Sequence, residues 1–166
     1  MRRNILYFVL VFSAFVVAAA TTHALTATTT FNVQITIQAQ CTISATTLDF
    51  GTNPGVLVAN IDSTNTVSVT CTNTTPWAIS LDAGTGAGGT VVLRKMTGPA
   101  AATVDYTIYR DAPRTQVWGD ATSGTFTVAG TGTGSAQAQI GYGRVPPQPA
   151  PTPGAYLDTI TATVTF

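Results

Sequence analysis

Residues 31–38 read Phe31-Asn32-Val33-Gln34-Ile35-Thr36-Ile37-Gln38, apolar and polar in unbroken alternation. A period of two belongs to an extended strand, so Phe31, Val33, Ile35 and Ile37 project from one face and the polar residues from the other. The pattern returns at the far end, where Ile160, Ala162, Val164 and Phe166 interleave with Thr161, Thr163 and Thr165. A strand with a buried face must pair with something, because unpaired edges are an aggregation liability. Either both strands belong to one self-contained sandwich, or one of them serves a neighbouring molecule.

Working inward, short apolar runs predict strands at 41–50, 65–72, 77–81, 90–93, 103–110, 125–128, 136–142 and 156–166. Turn residues separate them: Gly51 with Asn53-Pro54-Gly55, the run Gly84 to Gly89, Gly98-Pro99, and Gly130-Thr131-Gly132-Thr133-Gly134, which reads as a flexible hairpin connection. Many short strands at this spacing make an all-β chain, an antiparallel sandwich. Abundant Thr agrees, since with Val, Ile, Tyr and Phe it suits a pleated, half-buried surface. The Pro-rich stretch 146–153 reads as a stiff, extended loop feeding the final strand; the alternative is a ligand for a proline-recognition domain.

Composition excludes several functions. Of 166 residues only 14 are charged, seven basic and seven acidic, so there is no electrostatic footprint for nucleic acid. A mean hydropathy of +0.28 with so little charge is the reverse of the disordered signature. Met1-Arg2-Arg3-Asn4, an uncharged run from Ile5 to Ala20 and small-residue exits at Ala20 and Ala24 form a secretory signal peptide, residues 1–24. The run is short for a membrane span. Cleavage after Ala24, with Ala20 the other exit, leaves five bases against seven acids, a net charge of −2, and removes His23, the only histidine. Without imidazole the Ser-His-Asp and Cys-His nucleophiles and the usual zinc sites are excluded. We therefore expect no enzyme, no cofactor, no metal and no small-molecule substrate.

Two cysteines remain, Cys41 and Cys71. In an exported chain an even pair reads as a disulfide; the alternative, a redox pair, lacks Cys-x-x-Cys spacing. Trp77 and Trp118 read as core or loop-packing aromatics, with a sugar-stacking platform as the alternative. Asp105 and Asp111 flank 106–110 and admit a paired-acid reading, but Arg110 and Arg114 are close partners and a solvated face fits better. Asp158, just before the last strand, is expected to bond turn amides. The Gly-Thr-Gly-Thr-Gly run lacks the lysine of a phosphate loop. Asn73-Thr74-Thr75 matches a glycosylation sequon of the kind that arises by chance in a Thr-rich chain.

The order of these features resembles the pilins of archaic (Csu-type) chaperone–usher pili, also described as spore coat protein U domains. The resemblance spans essentially all of the chain after the signal. It rests on the strand 31–37 ahead of Cys41, Leu48-Asp49-Phe50-Gly51, Val67-Ser68-Val69-Thr70-Cys71, Tyr106-Thr107-Ile108-Tyr109-Arg110-Asp111, and Gly154-Ala155-Tyr156-Leu157-Asp158-Thr159.

That resemblance implies an immunoglobulin-like sandwich that is incomplete and is completed by a donor strand from a neighbouring subunit. It divides the chain into a signal peptide (1–24), a donor-strand extension (25–39) and the sandwich domain (40–166). Phe31, Val33, Ile35 and Ile37 become the donor residues. Ile160, Ala162, Val164 and Phe166 become a wall of the acceptor groove, which a chaperone strand occupies first. Cys41 and Cys71 tie the first two strands together. The implied partners are a periplasmic pilus chaperone, an outer-membrane usher and other copies of this and related subunits. The implied location is the periplasm and then the cell surface, in a pilus for adhesion and biofilm formation. The alternatives are a minor or tip adhesive subunit, for which a chain of this length offers no room for an extra receptor domain, and a self-complemented secreted coat protein. Four buried apolar donor side chains would contribute roughly 6–12 kcal/mol before ordering costs. A one-residue slip would present Asn32, Gln34 and Thr36 to the groove instead, so the register is tightly set.

Overall fold

The computed structural model describes residues 23–166; the expected signal peptide lies outside them except for its last two residues. The chain divides into two units at Ile35/Thr36. In the first, residues 23–35 carry no assigned strand, and Phe31, Val33 and Ile35 are each more than four-fifths exposed. The second is all-β apart from one short 3-10 turn at Pro99–Ala101.

Eight strands build two antiparallel sheets: β1 (Cys41–Ala45), β2 (Ile61–Cys71), β3 (Pro76–Leu81), β4 (Arg94–Thr97), β5 (Thr103–Tyr109), β6 (Val128–Thr131), β7 (Gln137–Val145) and β8 (Ala162–Thr165). The five-stranded sheet runs β1-β2-β7-β5-β4 and the three-stranded sheet β6-β3-β8. This is the immunoglobulin-like sandwich architecture.

Alternation decides which residues fill it. On β2, Val67, Val69 and Cys71 are buried while Thr66, Ser68 and Thr70 between them face outward. On β3, Trp77, Ile79 and Leu81 are buried. With Val104, Tyr106 and Ile108 from β5, and with Trp118, they form the core. Trp118 is wholly buried and its indole N–H donates to Ile79 O at 3.0 Å. Both tryptophans are therefore core residues, as expected. Cys41 and Cys71 stand opposite each other in the β1–β2 register and form the disulfide.

Several strand boundaries differ from the sequence reading, each because pairing and not periodicity sets them. The fourth strand falls at Arg94–Thr97 and not 90–93, since Arg94 to Thr97 oppose Tyr106 to Thr103. Residues 90–93 close a turn through Thr90 N–H to Leu93 O at 2.9 Å. The sixth falls at Val128–Thr131 and not 125–128: Thr125 N–H bonds Thr122 O, and Phe126 only bridges Trp118. The first strand stops at Ala45, and residues 48–50 lie outside it, with Asp49 turned to accept Gly51 N–H at 2.8 Å. The last is confined to Ala162–Thr165, the preceding stretch making a single bridge from Leu157 to Thr97.

The Gly-Thr run at 130–134 is not a hairpin. It carries the chain from β6 in one sheet to β7 in the other, held by Gly132 N–H to Thr75 O at 2.7 Å and Gly134 N–H to Cys71 O at 3.0 Å. The Pro-rich stretch leads onward from β7 with one bridge, at Gln148, and with bends at Pro149 and Pro153. Gln148 bridges Leu57, and its side-chain amide bonds both backbone groups of Asp105, so it acts as a stub of added strand beside β5.

Candidate functional site: an unpaired edge on each sheet

β1 bonds only to β2, and β8 only to β3. Each sheet thus ends in a strand whose outer row of backbone N–H and C=O groups has no ladder partner among the described residues. These two edges lie on the same side of the sandwich and approach to within 8 Å at their Cα atoms without pairing. Between the segment leaving β1, 45–50, and the segment leading into β8, 156–162, a cleft of about 330 Å³ opens. Its floor is the core itself: Val67, Leu81, Tyr106 and Ile108.

The banks are apolar but unfinished. Ile43, Leu48, Phe50, Met96, Tyr156, Ile160, Ala162 and Val164 all pack on the core yet stay half-buried. Leu48 and Phe50 reach this position because Gly143 beneath them on β7 has no side chain; a Cβ there would meet Leu48 and the Phe50 ring. On β8 the alternation reads through: Ile160, Ala162 and Val164 point inward, with Thr161, Thr163 and Thr165 outward. Val164 stands opposite Ile79, and Ala162 opposite Leu81. Phe166 follows the last strand and is more than half exposed.

Asp158 anchors the β8 bank, and it reaches further than the turn amides the sequence suggested. It accepts Thr85 N–H at 2.7 Å, Gly86 N–H at 3.0 Å and Thr159 N–H at 2.8 Å. Its second oxygen takes the Tyr106 hydroxyl at 2.7 Å, which ties the segment before β8 to β5 in the opposite sheet. Burial, and then this hydrogen-bonded carboxylate, push the Tyr106 phenol far above its ordinary pKa. Gly84 carries φ +78°, and a Cβ there would run into the Asp158 carboxylate, so the loop closes over Asp158 only with glycine at that position. Asp82 supports the same bank. Burial works against its charge, but Thr161 N–H at 2.9 Å and Gly84 N–H at 3.0 Å outweigh it and hold the carboxyl below the usual range.

Sequence reasoning missed Arg94. It is completely buried, donating from Nε to Asp82 O at 2.8 Å and from Nη2 to Trp118 O at 2.9 Å. Burial pulls its pKa down, opposed by Tyr106, Asp82 and Asp158. Nothing in Val-Val-Leu-Arg-Lys-Met marks this arginine as interior, since its partners are backbone carbonyls 12 and 24 residues away in the chain. The acids do not form a pair. Asp105 is bonded to Lys95, and Asp111 accepts Thr115 and Gln116 amides. Arg110 and Arg114 are not their partners either: Arg110 lies 4.5 Å over the Phe126 ring, and Arg114 pairs with Asp62.

An all-β sandwich with two unpaired edges flanking an apolar cleft is the class of protein that the geometry defines. The chain belongs to the spore coat protein U domain family, whose model matches residues 27–163. Among solved structures it is similar to a chain of the CsuC–CsuE chaperone–tip adhesion subunit pre-assembly complex, from archaic chaperone–usher Csu pili of Acinetobacter baumannii. The TM-score is 0.58 at 21% identity, covering 79% of this chain and 40% of that one, so this chain spans two-fifths of the length of the one it matches. The E. coli Hda pilus minor tip subunit, HdaB, gives a TM-score of 0.39 at 16% identity, covering 75% of this chain and 79% of that one. No curated protein matches.

Proposed function

We propose that this chain is a non-catalytic structural subunit of a chaperone–usher pilus, polymerised by donor-strand exchange and used for surface adhesion and biofilm formation. Residues 1–24 direct export to the periplasm, 25–39 are the donor extension, and 40–166 form the acceptor domain. Before assembly a chaperone strand fills the groove, and an outer-membrane usher mediates its replacement by the extension of the next copy. The observation that carries this reading is the unpaired β8 edge, with Ile160, Ala162 and Val164 half-buried beneath it and an exposed segment of matching alternation, residues 31–37, in the same chain. Membership of the spore coat U family and the fold shared with a chain of a Csu pilus complex support it.

The chemistry is that of β-augmentation. Backbone bonds along β8 give affinity, and Phe31, Val33, Ile35 and Ile37 inserted over the core give specificity. A donor bonded to both edges sets them about 9–10 Å apart, two ladder spacings, so the β1 and β8 edges separate as it enters. A head-to-tail contact of this kind does not close on itself, and it propagates as a filament.

The test compares the intact chain with a form lacking residues 25–37, each produced in the periplasm with its chaperone. Unboiled and boiled samples are run on detergent gels. A ladder of detergent-resistant oligomers from the intact form alone, collapsing on boiling, is the expected result. A stable monomer from the intact form, together with an unfolded deletion, would mean that the strand completes its own domain.

A further inference from the structure

Four strands end the two sheets: β1 and β4 in one, β6 and β8 in the other. β1 and β8 flank the groove. β4 is crossed by Leu157, whose N–H and C=O both bond Thr97, at 3.0 and 2.8 Å. β6 is left. Among the described residues it bonds only to β3, and its Ala129 and Thr131 are exposed. The three-stranded sheet thus has two edges open to an incoming strand, of which donor-strand exchange uses one.

The groups that β6 turns outward follow from the bonding of β3. Asp82 N–H bonds Thr161 O at 3.1 Å, on the β8 side. Leu81 N–H bonds Gly119 O at 3.1 Å, on the other side, where Gly119 is itself bonded to Phe126 just ahead of β6. Bonding direction alternates from residue to residue along an antiparallel strand. Trp77 and Ile79 therefore also bond toward β6, and Gly130 and Val128 stand opposite them. Ala129 and Thr131 then direct their N–H and C=O away from β3, as does Thr127 one step before the strand. Pro76, opposite Thr131, has no N–H to give, which agrees.

We propose that Arg110 closes the β6 edge and so confines strand addition to β8. This deepens the donor-strand reading and rests on it. Arg110 donates from Nη1 to Thr127 O at 2.6 Å and from Nε to Gln116 Oε1 at 2.7 Å, and its guanidinium lies 4.5 Å over the Phe126 ring. Because Thr127 O points away from β3, the guanidinium sits where the backbone of an added strand would run. Neither of its hydrogen-bond acceptors is a carboxylate. A strand laid beside β6 would bury that charge without a counter-ion, which is costly. Charged side chains guard sheet edges in this way. The β8 edge has the opposite character: from Thr159 to Phe166 it carries no charged residue, and its inward side chains are apolar. The same backbone chemistry is open at one edge of the sheet and guarded at the other.

The test uses the full-length chain produced in the periplasm with its chaperone, as wild type, Arg110→Gln, Arg110→Lys, and Arg110→Gln combined with Ala129→Pro. Sedimentation velocity over a concentration series measures self-association of the chaperone-bound subunit, whose groove is filled. Unboiled detergent gels follow donor exchange separately. Glutamine keeps a donor for Thr127 O and removes the charge. We expect Arg110→Gln to associate at least about tenfold more tightly than wild type, into particles that detergent disperses without boiling. Arg110→Lys should match wild type. Ala129→Pro should reverse the gain, because proline takes away an outward N–H and leaves the bonds to β3 in place. Association of Arg110→Gln equal to that of wild type, or a gain that Ala129→Pro does not reverse, would overturn the guard and leave donor-strand exchange standing. Absence of the detergent-resistant ladder from wild type would overturn the donor-strand reading, and with it the confinement to β8.

Discussion

Residues 31–37 and 160–166 carry the same alternation, and on composition alone they are interchangeable amphipathic strands. Their circumstances differ sharply. Ile160, Ala162 and Val164 are half-buried and β8 is laddered to β3, whereas Phe31, Val33, Ile35 and Ile37 are between 72% and 86% exposed and lie in no assigned strand. Alternation records that a face is destined for burial, but it says nothing about which molecule supplies the other side. That distinction separates a residue needed for folding from one needed for assembly.

The strongest way to break the comparison is to place a charge in each strand. Val164→Asp would put a carboxylate against Ile79 in the core, which costs on the order of 4 kcal/mol or more. We expect no recoverable chaperone-bound subunit in periplasmic extracts. Ile35→Asp should leave that subunit folded and abundant while abolishing the detergent-resistant ladder. If both variants are lost alike, or if Ile35→Asp still forms fibres, the division between folding strand and donor strand fails.

Smaller changes sharpen the comparison by loosening one bank of the cleft at a time. Cys41→Ser with Cys71→Ser frees the β1 edge; closing a loop of 30 residues contributes about 3–4 kcal/mol in the chain-entropy model. Denaturant unfolding of the chaperone-free subunit should show that loss. Tyr106→Phe removes the hydroxyl that ties Asp158 to β5 and should cost roughly 1.5–3 kcal/mol, as for a bond to a charged group. It also has a pH signature. The Tyr106 pKa is raised on folding, so its contribution is complete below pH 10.0, the ordinary tyrosine value, and is lost as pH climbs toward the folded value. The wild-type melting temperature should therefore fall above that pH and the Phe variant should fall less.

The smallest effect is at acid pH. A hydrogen bond from Arg144, opposed by partial burial and helped by Arg114, lowers the Asp62 pKa, and the Thr161 and Gly84 bonds do so for Asp82 against its burial. Both contributions are present above the ordinary carboxylate value of 3.8 and are lost as pH falls through the depressed folded values. Melting temperature measured from pH 6 to pH 2 should be flat and then decline below about pH 4. Asp62→Asn should shrink that decline only slightly, because the pair with Arg144 is solvent-exposed and worth little.

What could be read in advance follows a physical line. Strands 76–81 and 103–109 were legible because one of their faces is fully buried and the alternation is complete. The disulfide was legible from export and an even cysteine count. β4 and β6 were misplaced by three or four residues, since in Val91-Val92-Leu93 and Thr125-Phe126-Thr127 the apolar residues occupy turns and bridges beside the strand and not the strand itself. The cleft was half legible: its β8 wall shows in the alternation, but Leu48, Phe50 and Tyr156 line it from segments that are not strands.

By itself, then, the sequence determined an all-β chain with few charges and an alternating apolar–polar segment toward each end, because side-chain period and composition are local properties. Only the tertiary structure decided that β6 and β7 belong to different sheets, that Arg94 is an interior residue, that Asp158 joins the two layers, and that β1 and β8 are left with unpaired edges. Those are statements about partners distant in the chain, and a ladder bond or a buried carbonyl leaves no mark on the residue that seeks it.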